Sequence, residues 1–181
     1  MRRASKQGLA GIHAWHPTQA EVLAFEEASE AGEWSEEGAR LRQAGLEMLH
    51  ESLEGVEAGE RSFFRLLAGM DKTGRLVAFA LLDEDNDEHG FELTVLAAEE
   101  GKGFATALMA QAALLAGGQE MVVVTEPGAE AFYAAMGLEE HEDWWTWVAS
   151  DCALAASWLA QSGIGRHEAM PGWQAREVLI G

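Results

Sequence analysis

The chain has 181 residues, 48% of them apolar, enough for one domain with a substantial core. Its 31 acidic residues against 12 Lys and Arg give a net charge of −19, a surface that repels nucleic-acid phosphate and attracts cationic small molecules or basic peptides. One cysteine, Cys152, excludes an internal disulfide framework and no stretch reads as a secretory signal or a membrane span, so a cytoplasmic location without membrane association is expected.

Residues 1–11 read as a loose tail and Ile12 to Trp15 as a short first strand. Pro17-Thr18 opens a helix over roughly 18–31, with Val22, Leu23 and Phe25 on its apolar side. A second helix, roughly 35–56, repeats Leu46, Leu49, Leu53 and Val56 at helical spacing across an internal Gly45. Ser62–Gly69 is a strand candidate, Asp71-Lys72-Thr73-Gly74 a hairpin turn, and Arg75–Leu82 the partner strand. The acidic run Asp83 to Glu88 reads as a solvated hairpin tip; its spacing does not match a calcium loop. A strand follows from Phe91, a helix over 103–116, and an apolar strand from Met121 to Thr125. Pro127 opens a short helix that Gly137 stops, and Trp144–Val148 reads as another strand. A last helix (about 151–161) and a last strand (about 175–180) complete a mixed α/β domain. Residues 150–181 stand as a C-terminal extension, expected to cover a sheet edge or reach a second subunit.

Chemistry concentrates between Phe91 and Leu115. The strand Leu93-Thr94-Val95 runs into Gly101-Lys102-Gly103, and a helix starts at once with Phe104, Ala105 and Thr106. Glycines at a helix start expose several backbone N–H groups where the helix dipole adds positive charge, so the turn is an anion cradle. The spacing completes neither the dinucleotide fingerprint nor the P-loop, and glycines that merely make a tight connection fit it equally. Downstream stands Ala129-x-x-Phe132-Tyr133-x-x-x-Gly137-Leu138, containing the only tyrosine of the chain.

Together these two segments resemble the GNAT superfamily of N-acetyltransferases. Its Arg/Gln-x-x-Gly-x-Gly/Ala hallmark corresponds to Glu100-Gly101-Lys102-Gly103-Phe104-Ala105, and its Tyr helix to Ala129–Leu138. The order of strands and helices matches from about residue 12 to 148. The resemblance implies an α+β fold with a mixed, mostly antiparallel sheet flanked by helices, and a splayed strand pair that admits acetyl-CoA. It implies that N–H groups from Gly101 to Thr106 hold the pyrophosphate and that Leu93, Thr94 and Val95 pair with pantetheine. It places Ala129 and Phe132 beside the cofactor. Tyr133 then serves the departing thiolate, and an amine attacks the thioester in a ternary complex. A phenol of pKa ~10 protonating a thiolate of pKa ~8.5 works uphill by about 2 kcal/mol, so Tyr133 is either acidified or acts as a hydrogen-bond donor.

Three departures stand out. Glu100 replaces the family's Arg or Gln, with Lys102 as a partial counter-charge; Ala97 replaces a common proline; Glu126 replaces a common asparagine. Glu92 and His89 are candidate bases for the acceptor amine, against an ordinary solvent-facing strand residue and an ordinary turn residue. No histidine cluster suggests a metal. Among Trp144, Trp145 and Trp147 the inward rings are expected to pack in the core, and an outward one is a candidate for an acceptor pocket or a dimer contact. The expected activity is acetyl transfer from acetyl-CoA to a primary amine of a small molecule or peptide. A GNAT-fold acyl-CoA sensor or interaction module, and an unrelated nucleotide binder, stay open as alternatives.

Overall fold

A computed structural model describes residues 8–86, 90–117, 119–124, 128–141, 144–147 and 157–173. The order is β1 (Leu9–Trp15), α1 (Gln19–Glu30), α2 (Glu36–Glu51), β2 (Phe64–Asp71), β3 (Leu76–Asn86), β4 (Gly90–Ala98), α3 (Phe104–Ala116), β5 (Met121–Val124), α4 (Glu130–Ala135), β6 (Glu139–His141), β7 (Trp144–Trp147) and β8 (Gly165–His167). The described strands form one sheet in the order β6-β7-β5-β4-β3-β2-β1-β8. Within it β4–β5 and β1–β8 are parallel and the other pairs antiparallel.

Helices α1 and α2 start where the sequence supplies a side-chain cap. Thr18 and Glu21 form a reciprocal capping box at α1, and the Ser35 hydroxyl accepts the Gly38 N–H at 3.0 Å at α2. Asp71 Oδ1 accepts the backbone N–H groups of Thr73 and Arg75, which closes the β2–β3 turn. Helices α1 and α2 bury Val22, Phe25, Leu46 and Leu49 on one face of the sheet against Phe79, Leu81 and Val95. Helix α3 covers the other face with Leu108, Met109, Ala112 and Ala113 against Leu67, Ala80 and Leu93. α2 runs unbroken through Gly45, which lets the helix approach Phe79 closely: a Cβ there would meet Phe79 Cε2 at 2.8 Å.

Several sequence expectations need correction. β1 begins at Leu9, so part of the expected tail is strand. α2 ends at Glu51, and Leu53 is buried beyond it rather than within it. Leu23 is 39% exposed instead of on the apolar side of α1. Residues Asp83 to Asn86, expected in a turn, continue β3, with Asp83 opposite Glu92 and Asn86 opposite Gly90. Ladder pairing satisfies their backbone whatever their side chains are, and Glu84 ion-pairs with Arg65 and lies within hydrogen-bond distance of His16 Nε2. The polar strand β6 has no apolar pattern to reveal it. β8, from the C-terminal extension, adds to the β1 edge, where His167 stacks on His13 with centroids 4.5 Å apart. Cys152, His89 and the strand expected at 175–180 lie outside the described residues.

Candidate active site

β4 carries the geometry on which the site depends. Leu81 pairs with Val95 and Leu82 with Leu93, so Thr94 is an extra residue, a β-bulge. The Thr94 hydroxyl donates to the Leu81 carbonyl at 3.2 Å. On the other edge, β4 meets β5 only at Glu92–Val122 and Leu93–Val123. Beyond the bulge the two strands part, and the backbone from Thr94 to Ala98 has no strand partner on that side among the described residues. Such an edge offers unpaired N–H and C=O groups to an extended ligand.

At the end of β4, Gly101 and Gly103 both adopt positive φ, +74° and +76°, which an L side chain resists. Gly103 is the N-cap of α3 and provides no side chain to its first amides. The N–H groups of Phe104, Ala105 and Thr106 therefore converge at a positive helix end without an internal acceptor. A cavity of about 360 Å³ opens there, lined by Glu100, Gly101, Gly103, Phe104, Ala105 and Thr106. Leu96, Ala97 and Ala98 of β4 form one wall; Ala129, Phe132 and Tyr133 of α4 form another. Tyr133 is buried and packs edge-to-face on Phe132 at 5.2 Å between centroids. Two segments that the sequence separates by over twenty residues thus share one cavity.

The other expected residues lie as follows. Leu93 and Val95 are buried, on opposite faces of the sheet. Neither they nor Thr94, Glu92 and Lys102 line the cavity among the described residues. Glu92 accepts a hydrogen bond from Asn86 Nδ2 at 2.8 Å. Glu126 lies outside the described residues. Lys102 turns to Glu99, with Nζ 2.8 Å from Oε2, rather than standing as an unengaged counter-charge.

Glu99 went unnoticed in the sequence. Its side chain is 2% exposed, and it receives Arg75, Lys102 and the Glu33 backbone N–H. Burial pushes its carboxyl up, but Lys102, the Glu33 amide and Arg75 outweigh that and hold it below its usual value. Ser35, Gly38 and Leu41 of α2 also line the cavity unforeseen. Ser35 before Glu36-Glu37 marks a helix start, but nothing local places that start against the turn. Glu37, exposed and paired with Arg40 at 2.6 Å, joins Glu100 in lining the cavity with carboxylates.

Among the described residues no helix is long and apolar enough to cross a membrane, and no group of three or more His, Cys, Asp or Glu could hold a metal ion.

No curated protein sequence matches the chain significantly. Among solved structures, the Escherichia coli GNAT family N-acetyltransferase YhbS in complex with CoA superposes with TM-score 0.53 at 16% identity, covering 88% of each chain. The Bacillus subtilis N-acetyltransferase YlbP in complex with coenzyme A gives 0.47 at 15% identity, covering 76% of this chain and 95% of its own. A Vibrio cholerae spermidine N-acetyltransferase variant gives 0.48 at 15% identity, covering 83% and 98%. The first likeness supports the fold, a mixed sheet flanked by helices. The acetyltransferase (GNAT) family profile matches residues 20–138, a span that holds the turn and Tyr133 alike. That family uses acetyl-CoA. With two thirds of its length matching, the chain belongs to the GNAT family of acetyltransferases.

Proposed function

We propose that the protein is an enzyme transferring an acetyl group from acetyl-CoA to a primary amine of a small molecule or peptide, by direct attack in a ternary complex. One observation carries the reading: a single cavity gathers the uncapped start of α3, the open edge of β4 and Tyr133. The residues fit the donor, since the amides of Gly103 to Thr106 suit a pyrophosphate and the β4 backbone past Leu93 suits pantetheine amides. When bound, acetyl-CoA supplies an activated thioester carbonyl. The chain's own part is to orient and to manage protons. Leu93, Thr94 and Val95 present backbone groups to the donor, with Ala129 and Phe132 packing beside it. Tyr133 holds its phenolic proton for the departing sulfur. Glu92, on β4 before the bulge and outside the cavity lining, receives the amine proton through a chain of water. The net charge of −19, with Glu37 and Glu100 at the cavity, favours a cationic acceptor. We read the chain as one domain acting in the cytoplasm, as a monomer or homodimer.

Acetyl-CoA should raise the thermal midpoint, and a panel of amines assayed by free-thiol release should identify an acceptor. Tyr133→Phe should then lower kcat by about 10²-fold or more while acetyl-CoA still binds. Unchanged turnover would remove the role given to Tyr133. Glu100 at the cavity favours one second reading, a non-catalytic acyl-CoA-sensing or protein-interaction module. That reading predicts stabilisation by acetyl-CoA with no thiol release on any amine.

A further inference from the structure

The α3 side of the sheet holds a second cavity, of about 680 Å³, that shares no lining residue with the first. The first lies at the N-terminus of α3; this one lies under its C-terminal half, at Gln111, Leu114 and Leu115. Leu159 and Ile164, in and after the helical residues 157–162, close its other side. The walls are therefore aliphatic, but the lining also includes two arginines.

Strand register places those arginines around one floor. Arg166 of β8 pairs with Ile12 of β1, and Arg65 of β2 precedes Leu66, the partner of Trp15. Ala14 lies between these positions and lines the cavity with only a methyl group. Paired residues share a face, and Ile12 and Ala14 both belong to the α3-side core, so both guanidiniums serve the same cavity. Arg65 is tied to Glu84, its Nε 2.9 Å from Oε1. No carboxylate of a described residue pairs with Arg166. Glu168 is the one carboxylate in the described lining. In a chain with 31 acidic residues, a cavity where arginines outnumber carboxylates is unusual ground for an anion.

Gln111 supplies the second, independent observation. It is 7% exposed, it lines the cavity, and its Oε1 is buried with no hydrogen-bond partner among the described residues. A buried amide oxygen left unpaired is costly, and on the face of an Ala- and Leu-rich helix an apolar residue would serve packing better. We propose that this cavity is a second small-molecule site for an aliphatic carboxylate that bears a hydroxyl or amide N–H. The carboxylate lies between Arg65 and Arg166, the chain against Leu114, Leu115 and Leu159, and the donor on Gln111. The site is independent of acetyl transfer and does not rest on it.

The test uses the full chain and three probes below their micellar concentrations: 3-hydroxyoctanoate, octanoate and octylamine. Calorimetry and thermal shift should show saturable binding of 3-hydroxyoctanoate, weaker binding of octanoate and none of octylamine. Arg166→Ala, at an exposed position, should weaken binding about tenfold or more. Gln111→Leu should abolish the preference for the hydroxylated probe and raise the midpoint of the ligand-free protein. Acetyl-CoA binding should not change in either variant, which separates this site from the first. The proposal fails if 3-hydroxyoctanoate does not bind, if octylamine binds as well, or if Arg166→Ala binds as tightly as the parent protein.

Discussion

A pyrophosphate arriving at the start of α3 brings negative charge toward Glu100, whose carboxylate lines the cavity and is exposed. Two unit charges about 8 Å apart in water repel by about 0.5 kcal/mol. Glu100→Gln should therefore tighten coenzyme A binding by roughly twofold to fivefold, and Glu100→Arg by about tenfold. The gain should shrink in 0.5 M NaCl, where the Debye length falls to ~4 Å. Affinity measured by calorimetry at two salt concentrations checks both statements; a Glu100→Gln variant that binds more weakly would give the carboxylate a binding role instead. Gly101 offers a different kind of test. A Cβ there meets nothing within 4 Å, so Gly101→Ala adds no clash. Its cost is the backbone alone, about 1–2 kcal/mol for an L residue held at φ +74°. Urea unfolding should show that loss, and acetyl-CoA should still protect whichever molecules keep the turn.

Glu99 acts at the scale of elements, because its carboxylate joins the approach to α2 at Glu33, the β2–β3 hairpin at Arg75 and the turn before α3 at Lys102. Its pKa in the folded protein is depressed, so between that value and the usual 4.5 the unfolded chain binds more protons. This contribution to stability is complete above about pH 4.5 and is lost as the pH falls through the folded-state pKa. Asp71 follows the same direction: burial raises it, but the Thr73 hydroxyl, the Arg75 and Thr73 amides and the Arg75 charge outweigh that. Glu99→Gln should cost about 1–2 kcal/mol at pH 7, a modest figure because Arg75 and Lys102 keep solvent access of 30% and 45%. The difference from the parent should narrow by pH 3, read from urea unfolding at both values; a constant difference would mean that the network does not titrate. Elements also mark how far the sequence could be read. Two helix caps, an Asp-x-Thr-Gly turn and paired glycines announce themselves locally, and so did the motif residues Gly101, Gly103 and Tyr133. The neighbourhood of Glu99 did not, because Arg75 and the Glu33 amide reach it through tertiary register, and only Lys102 stands close along the chain. Glu99 beside Glu100 looks like two surface acids, yet the turn that leaves β4 buries one and exposes the other. The same holds for Ser35, Gly38 and Leu41, whose helix reads clearly but whose docking against the turn does not.

Over the whole molecule the excess of acid works against compactness. A net charge of −19 confined to a folded chain repels itself, whereas the unfolded chain spreads the same charge over a larger volume. Local ion pairs oppose this but weakly. Arg40–Glu37 is more than half exposed on both sides, and pairs of that kind contribute at most about 1 kcal/mol. Partly buried pairs such as Arg75–Glu99 feel salt less than the surface does. Raising NaCl from 0.01 to 0.2 M shortens the Debye length from about 30 Å to below 10 Å and so screens repulsion across the whole surface. The thermal midpoint should rise over that interval and level off beyond it. Potassium chloride at matched ionic strength should give the same curve, because screening depends on charge and not on ion identity. Sulfate should exceed it only at higher concentration, where its exclusion from the surface adds a separate effect. A midpoint that falls between 0.01 and 0.2 M would show instead that attractive pairs outweigh the repulsion, and that the acidic surface is balanced where it meets arginine rather than merely tolerated.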